Sequence, residues 1–203
     1  MRSVPGWALA SALGAPVLLI GGWTLAAALQ PNGYDPVTQS ISSLAAHGAT
    51  DRWLMTAALA GLGGCHLVTA LGLRPVARAG RILLAAGGAA TLWVAAFPQP
   101  AEGSSTAHVA AATTAFLALA LWPAPAADRR PGASWELRPR VSAAATAALI
   151  GAVAWFGWEL HTGARIGLAE RVAAGSQSLW PLVVVIAERR RRRPAAAAAA
   201  ETR

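Results

Sequence analysis

Lysine is absent from this 203-residue sequence, cysteine occurs once, and charged residues of either sign make up only 13% of it. A soluble domain of this length needs far more charge to cover its surface, so a water-soluble globular fold is excluded. The single Cys65 rules out an intrachain disulfide and a four-cysteine zinc site, and within its apolar run it reads as a small packing residue. There is no HExxH and no pair of histidines at i, i+4. No metal is expected, although imidazoles and a carboxylate gathered from separate loops would suit zinc. A nucleophile elbow and an evident oxyanion hole are missing too, which leaves little support for a serine mechanism on Ser43 and His47. His66 is the only histidine deep in an apolar segment and has no axial partner there, which argues against haem. It is expected to make an interhelical hydrogen bond, and no cofactor is expected. Inverted repeats and intramembrane charges, the marks of a transporter, are also lacking.

What the chain does have is apolar length. Hydrophobic residues make up 55% of it, mean hydropathy is +0.45, and long apolar runs recur with short polar gaps. This predicts an all-α, polytopic membrane helix bundle. Six transmembrane helices are expected over 7–29, 53–73, 82–97, 107–122, 141–158 and 172–187. They form one membrane domain over 1–188, followed by a basic, alanine-rich tail at 189–203 that reads as disordered. The sixth span is the most polar, with Ser176, Gln177, Ser178 and a central Pro181, and its polar groups are expected to face other helices. Cleavage at the small residues Ala26, Ala27 and Ala28 would make the first span a signal peptide, but its apolar run exceeds the usual signal core, so an uncleaved span is expected. Small residues recur at helical spacing (Ala57, Gly61, Cys65 and Thr69, then Gly87, Thr91 and Ala95), as in a tightly packed bundle. Trp7, Trp53, Trp122 and Trp158 stand near span ends, where an amphipathic ring prefers the interface.

The net charge of +8 resides in arginines clustered beside apolar segments, with no separate basic domain to bind nucleic acid. Arg2, then Arg74, Arg78 and Arg81, then Arg129, Arg130, Arg138 and Arg140, then the terminal cluster all fall on one side of the alternating loops. Only Arg52, Arg165 and Arg171 fall on the other. The arginine-rich side is therefore expected to be cytoplasmic, with both termini inside. Membrane lipids are the expected partners, with anionic lipid at Arg189, Arg190, Arg191, Arg192 and Arg193.

That orientation places the stretch YDPVTQSISSLAAHG, residues 34–48, outside. Asp35 and Pro36 read as a helix start and Gly48 as its stop. Val37, Ile41 and Leu44 would share one face, and Ser40, Ser43 and His47 another, giving a short amphipathic extracytoplasmic helix between the first two spans. The other outer loops bring His108, Glu159, His161, Arg165, Glu170 and Arg171. Ionisable groups at span ends are costly unless paired or used, so an outer ligand-binding pocket is expected from Ser40, Ser43, His47, His108, Glu159, His161, Glu170 and Arg171. Interfacial ion pairs that only cap the helices are the alternative.

The pattern YDPVTQSISSLAAHGATDRWLMTAALAGLGG, followed by FPQPAEGSSTAHVAAATTAF and GLAERV, resembles the bacterial membrane family catalogued as domain of unknown function 998. The resemblance covers nearly the whole chain apart from the basic tail. It implies a six-span protein, distantly similar to the eukaryotic Frag1 and DRAM type. Matching positions are Ser40, Ser43 and Leu44, then Pro98 and His108, then Glu170 and Arg171. Where the family usually has an acidic residue shortly after the proline, this chain has Gln99 and Glu102. The family has no established activity, so the resemblance implies a topology and an outer site without a reaction. The expected protein is a multi-pass protein of the bacterial plasma membrane, with an outer pocket for a lipid head group or small polar ligand. Two other classes stay open. One is a membrane-embedded, metal-dependent or metal-free hydrolase or transferase using His47, His108, His161 and a carboxylate; the other is a structural or assembly protein of the cell envelope.

Overall fold

The computed structural model describes residues 3–31 and 33–201, with side chains as far as Arg191. Expectations for Arg2, Arg192, Arg193, Arg203 and the side chains of the alanine-rich tail lie outside the described residues. Helices α1 (Gly6–Ala28), α2 (Arg52–Gly72), α3 (Arg78–Ala96), α4 (Thr106–Leu121), the one-turn α5 (Pro123–Ala126), α6 (Pro139–Thr162) and α7 (Ile166–Glu201) follow one another, with no strand among the described residues. Their ends follow from local chemistry. Ser105 caps α4 by accepting the His108 N–H at 3.3 Å, Pro139 opens α6, and Gly163 ends α6 in the left-handed region at φ 74°.

Among the described residues, five helices are long and apolar enough to cross a membrane: α1, α2, α3, α4 with α5, and α6. The sixth long helix, α7, is not among them. Ser176, Gln177 and Ser178 interrupt its apolar run, and two of these, Gln177 and Ser178, are fully buried against other helices. The helix passes Pro181 without a break and continues to Glu201.

Consecutive helices pack on each other from α1 to α4, α7 packs on α1, and α6 bridges α4 and α7. The loops rich in arginine collect at one end, where Arg189 Nη1 donates to the Val4 carbonyl at 2.7 Å and Arg191 to that of Gly132. Gly63 of α2 and Gly88 of α3 meet backbone to backbone. A Cβ added to either would stand within 2.8 Å of the other's carbonyl oxygen, so only glycine permits this approach. The position of α6 differs from that of the other helices. Only 11% of its most apolar window is buried, so it lies against the outside of the bundle.

Two expectations about single residues are corrected here. Trp122 is fully buried among Val4, Leu73, Leu84 and Val184 rather than set at an interface, whereas Trp7, Trp53 and Trp158 are exposed. The His66 ring makes no interhelical hydrogen bond: both its nitrogens are buried without a partner among the described residues.

The stretch 34–48 is not one amphipathic helix. It forms a turn, in which the Gln39 N–H donates to the Asp35 carbonyl at 2.8 Å, and then a one-turn 3-10 helix at Ser42–Ala45. Side chains compete with the helical ladder here. Asp35 accepts from the Val37 N–H and Thr38 hydroxyl, Gln39 Oε1 from the Asp35 N–H, and Ser40 Oγ from the Ser43 N–H. Ile41 and Leu44 are buried as the apolar pattern requires, but Val37 is 41% exposed.

Candidate functional site

At the end of the bundle opposite the arginine-rich loops, the start of α7 grips the stretch after α1. Gly167 lies under the carbonyls of Pro36 and Gln39, at a place where a Cβ would stand 2.5 Å from the Pro36 oxygen and nearer still to that of Gln39. Next to it, the Leu168 N–H donates to the Val37 carbonyl at 3.0 Å. Arg171 Nη1 donates to the Pro36, Gln39 and Gly167 carbonyls at 2.8, 3.0 and 3.0 Å, and Nη2 to the Tyr34 hydroxyl. The Tyr34 phenol, whose pKa burial raises, shares its one O–H between the Gln39 and Ser40 carbonyls at 3.3 and 3.2 Å. Arg171 is thus a clasp whose guanidinium is engaged on both nitrogens named.

Glu170 reaches the other way. It is 4% exposed, and its carboxylate accepts the Ile41 N–H and, at 3.1 Å, the Ser42 hydroxyl. Ser42 Oγ also lies 3.2 Å from Nε2 of His108, which is buried on the first turn of α4. His108 Nδ1 lies 2.8 Å from the Phe97 carbonyl, which can only accept, so Nδ1 carries a proton. Two proton arrangements then satisfy the trio. If Ser42 donates to Glu170, His108 Nε2 must donate to Ser42 and the pair is ionic. If Ser42 donates to His108, Glu170 must hold the proton and the pair is neutral. Both contain the same number of protons.

This network faces a cavity of about 360 Å³ between α4 and α6. Ser40, Ser42, Gln99, His108 and Glu170 form one end of it. Farther along, Thr113 aside, the wall is apolar: Val109, Phe116 and Leu117 from α4, Val153, Phe156 and Leu160 from α6. Its flank is open, since Val109, Leu117 and Leu160 are 48%, 43% and 58% exposed.

Of the residues named from sequence, Ser40, His108 and Glu170 line this cavity and Arg171 stands beside it as the clasp. Ser43 turns back on the loop, its hydroxyl donating to the Ser40 carbonyl at 2.6 Å. His47 is exposed, and its backbone N–H ties the loop to the Gln99 carbonyl at 2.9 Å. Glu159 closes the end of α6, accepting from Trp155, Thr162 and the Arg165 N–H at 3.1, 3.0 and 2.8 Å, and His161 is exposed. Sequence reasoning missed Ser42, the link between His108 and Glu170. A helical period laid on a non-helical stretch gave Ser42 to neither face. No local sequence signal singled Ser42 out, because SISS at 40–43 and AER at 169–171 lie far apart in the chain and only the fold joins them.

A family model described as protein of unknown function (DUF998) matches residues 12–187. No curated protein and no solved structure matches the chain.

Proposed function

We propose, from the premise that this chain belongs to the DUF998 family of proteins of unknown function, that it is an integral membrane protein whose α4–α6 cavity binds a membrane amphiphile. The head group occupies the end formed by Ser40, Gln99 and His108, and the chain lies along Phe116, Leu117, Phe156 and Leu160. The observation that carries this reading is the distribution of chemistry in the cavity: polar groups at one end, apolar walls over the rest, and an open flank. From Leu160 to Val153 the apolar wall covers two helical turns, roughly 10 Å, enough for a stretch of acyl chain. In this reading α7 is the sixth crossing, tolerated because its polar side chains face the bundle. The arginine-rich end is cytoplasmic, so the head group sits at the outer leaflet of the plasma membrane. Arg190 and its neighbours meet anionic lipid at the opposite surface.

A hydrolase is the weaker reading. Ser42 and His108 have the spacing of a nucleophile and its base, with the Phe97 carbonyl orienting the imidazole. However, the donors that would hold an oxyanion, led by the Ile41 N–H, are occupied by Glu170. A metal-dependent mechanism lacks its ligands: among the described residues no group of three His, Cys, Asp or Glu side chains could hold an ion.

Substitution Gly157→Trp tests the amphiphile reading. Gly157 lines the cavity and a Cβ there meets nothing within 4 Å, so a side chain can leave the backbone freely, and the cavity of about 360 Å³ offers the room for an indole. Native mass spectrometry of detergent-released protein should show co-purifying phospholipid on the wild type and its loss from the variant, at unchanged thermal stability. Equal lipid on both proteins would sink the assignment.

A further inference from the structure

Beneath the Ser42–Glu170 contact, a smaller cavity of about 60 Å³ lies inside the bundle, walled by α1, α2, α3, α4 and α7. It shares Ser42, Ala112, Phe116 and Glu170 with the larger cavity, so the two meet at the network described above. Leu19, Leu59, Leu62, Val94 and Leu119 make most of its wall apolar. His66 breaks that pattern. It lines the cavity at 1% exposure, and neither ring nitrogen has a protein partner. A neutral imidazole has one donor and one acceptor, and a group of this kind is rarely left unmet in a native interior. Thr91 and Gln177 line the same space. Thr91 Oγ1 donates to the Gly87 carbonyl at 2.8 Å and Gln177 Nε2 to that of Phe116 at 2.9 Å, and each side chain still has an oxygen able to accept.

We propose that this inner cavity is a bound-water site that joins His66 to the Ser42–Glu170 pair. A buried site holds water when it offers more than roughly 10–15 Å³ and at least two polar partners. The cavity passes on volume, and His66, Thr91, Gln177, Ser42 and Glu170 supply partners at both ends. A single hydrogen-bonded column then runs from His108 at the outer pocket, through Ser42 and Glu170 and the water, to His66 well past the middle of α2. Its upper part is protein and its lower part solvent. The column shares His108, Ser42 and Glu170 with the α4–α6 cavity but needs no occupant there, so it can fail or hold separately from the amphiphile reading.

Radiolytic footprinting in ¹⁸O-labelled water tests this on the full chain in detergent. Hydroxyl radicals made from a bound water label the side chains around it. Leu62 lines the cavity, and Leu62→Met conserves volume and introduces a readily oxidised thioether there. Met55, fully buried and not part of the wall, is the internal control of identical chemistry. The label at position 62 is expected to form faster than at Met55, and adding His66→Leu, which removes the polar floor, should bring the two to the same rate. Equal rates in the single variant would show a dry cavity and overturn the proposal. So would a position 62 rate that survives His66→Leu, since the water would then not depend on His66. If neither variant folds, the unaltered chain decides: label at His66, which lines the inner cavity and not the α4–α6 cavity, supports the proposal, and no label there overturns it.

Discussion

Replacing Gly167 with alanine puts the grip of α7 on the first loop to a direct test, because two physical effects predict opposite signs. Alanine is the better helix former, by up to about 1 kcal/mol in a helix interior, and on propensity alone the change would stabilise α7. Against this, the new methyl would stand 2.5 Å from the Pro36 oxygen and closer to that of Gln39, both backbone atoms with no side-chain freedom to move aside. The loop must retreat. With it go the bonds from the Leu168 N–H to Val37 and from Arg171 to Pro36 and Gln39. A neutral hydrogen bond contributes about 1 kcal/mol and one to a charged donor about 1.5, so a net loss of about 3 kcal/mol remains after the propensity gain. Reversible unfolding by SDS titration in mixed micelles measures this. Gly157→Ala serves as the control, because its Cβ meets nothing and only the propensity gain applies. A Gly167→Ala protein as stable as the wild type, or one that moves with the Gly157→Ala control, would refute the close contact and with it the clasp.

Other consequences are open to measurement. Arg171→Lys keeps the charge but cannot reach the Pro36, Gln39 and Gly167 carbonyls and Tyr34 together, so a loss of about 2 kcal/mol is expected in the same titration; an unchanged midpoint would mean charge alone matters. The Val37 N–H and the Thr38 hydroxyl hold the Asp35 carboxyl below its ordinary value of 3.8. The folded value is depressed, so its contribution to stability is present above 3.8 and lost as pH falls through the lower folded value. Melting curves from pH 6 down to about 2.5 should therefore fall less steeply for Asp35→Asn than for the wild type. Reporter fusions after Arg78 and Arg130 should read cytoplasmic, and those near Gly48 and Gly103 outside; a swap at either pair would break the orientation drawn from the arginines.

Apolar length and the spacing of arginines along the chain carry most of the fold, since they mark the long helices and bring the arginine-rich loops to one end of the bundle. Five of the helices are legible in that way, and α7 is legible only as a helix whose polar residues must face inward. What composition does not encode is which backbone a side chain will meet. Arg171 looked like a ligand group and instead holds three carbonyls and a phenol. The periodicity of residues 34–48 was real at Ile41 and Leu44, but Ser40, Ser43, Asp35 and Gln39 satisfy backbone groups locally and stop the helix after a turn. Trp122 obeys the same lesson. Its place at a span end suggested an interface, while packing against Val4, Leu73 and Val184 from three other segments decided otherwise.

The grip between the beginning of α7 and the loop after α1 also sets an order of assembly. The chain is made from its N-terminus, so α7 is the last of the described helices to appear. Until Gly167, Glu170 and Arg171 have emerged, the carbonyls of Pro36 and Gln39 and the N–H of Ile41 lack their long-range partners. A chain stopped after α6 therefore holds every strongly apolar helix and still has an unlatched first loop. Completion of the fold is a latching event at the end of the bundle opposite the arginine-rich loops, in which α7 fastens the loop after α1. A truncated or mis-threaded chain would advertise itself there, to any protease that reaches that end of the bundle, by an open stretch from Tyr34 to Ser42.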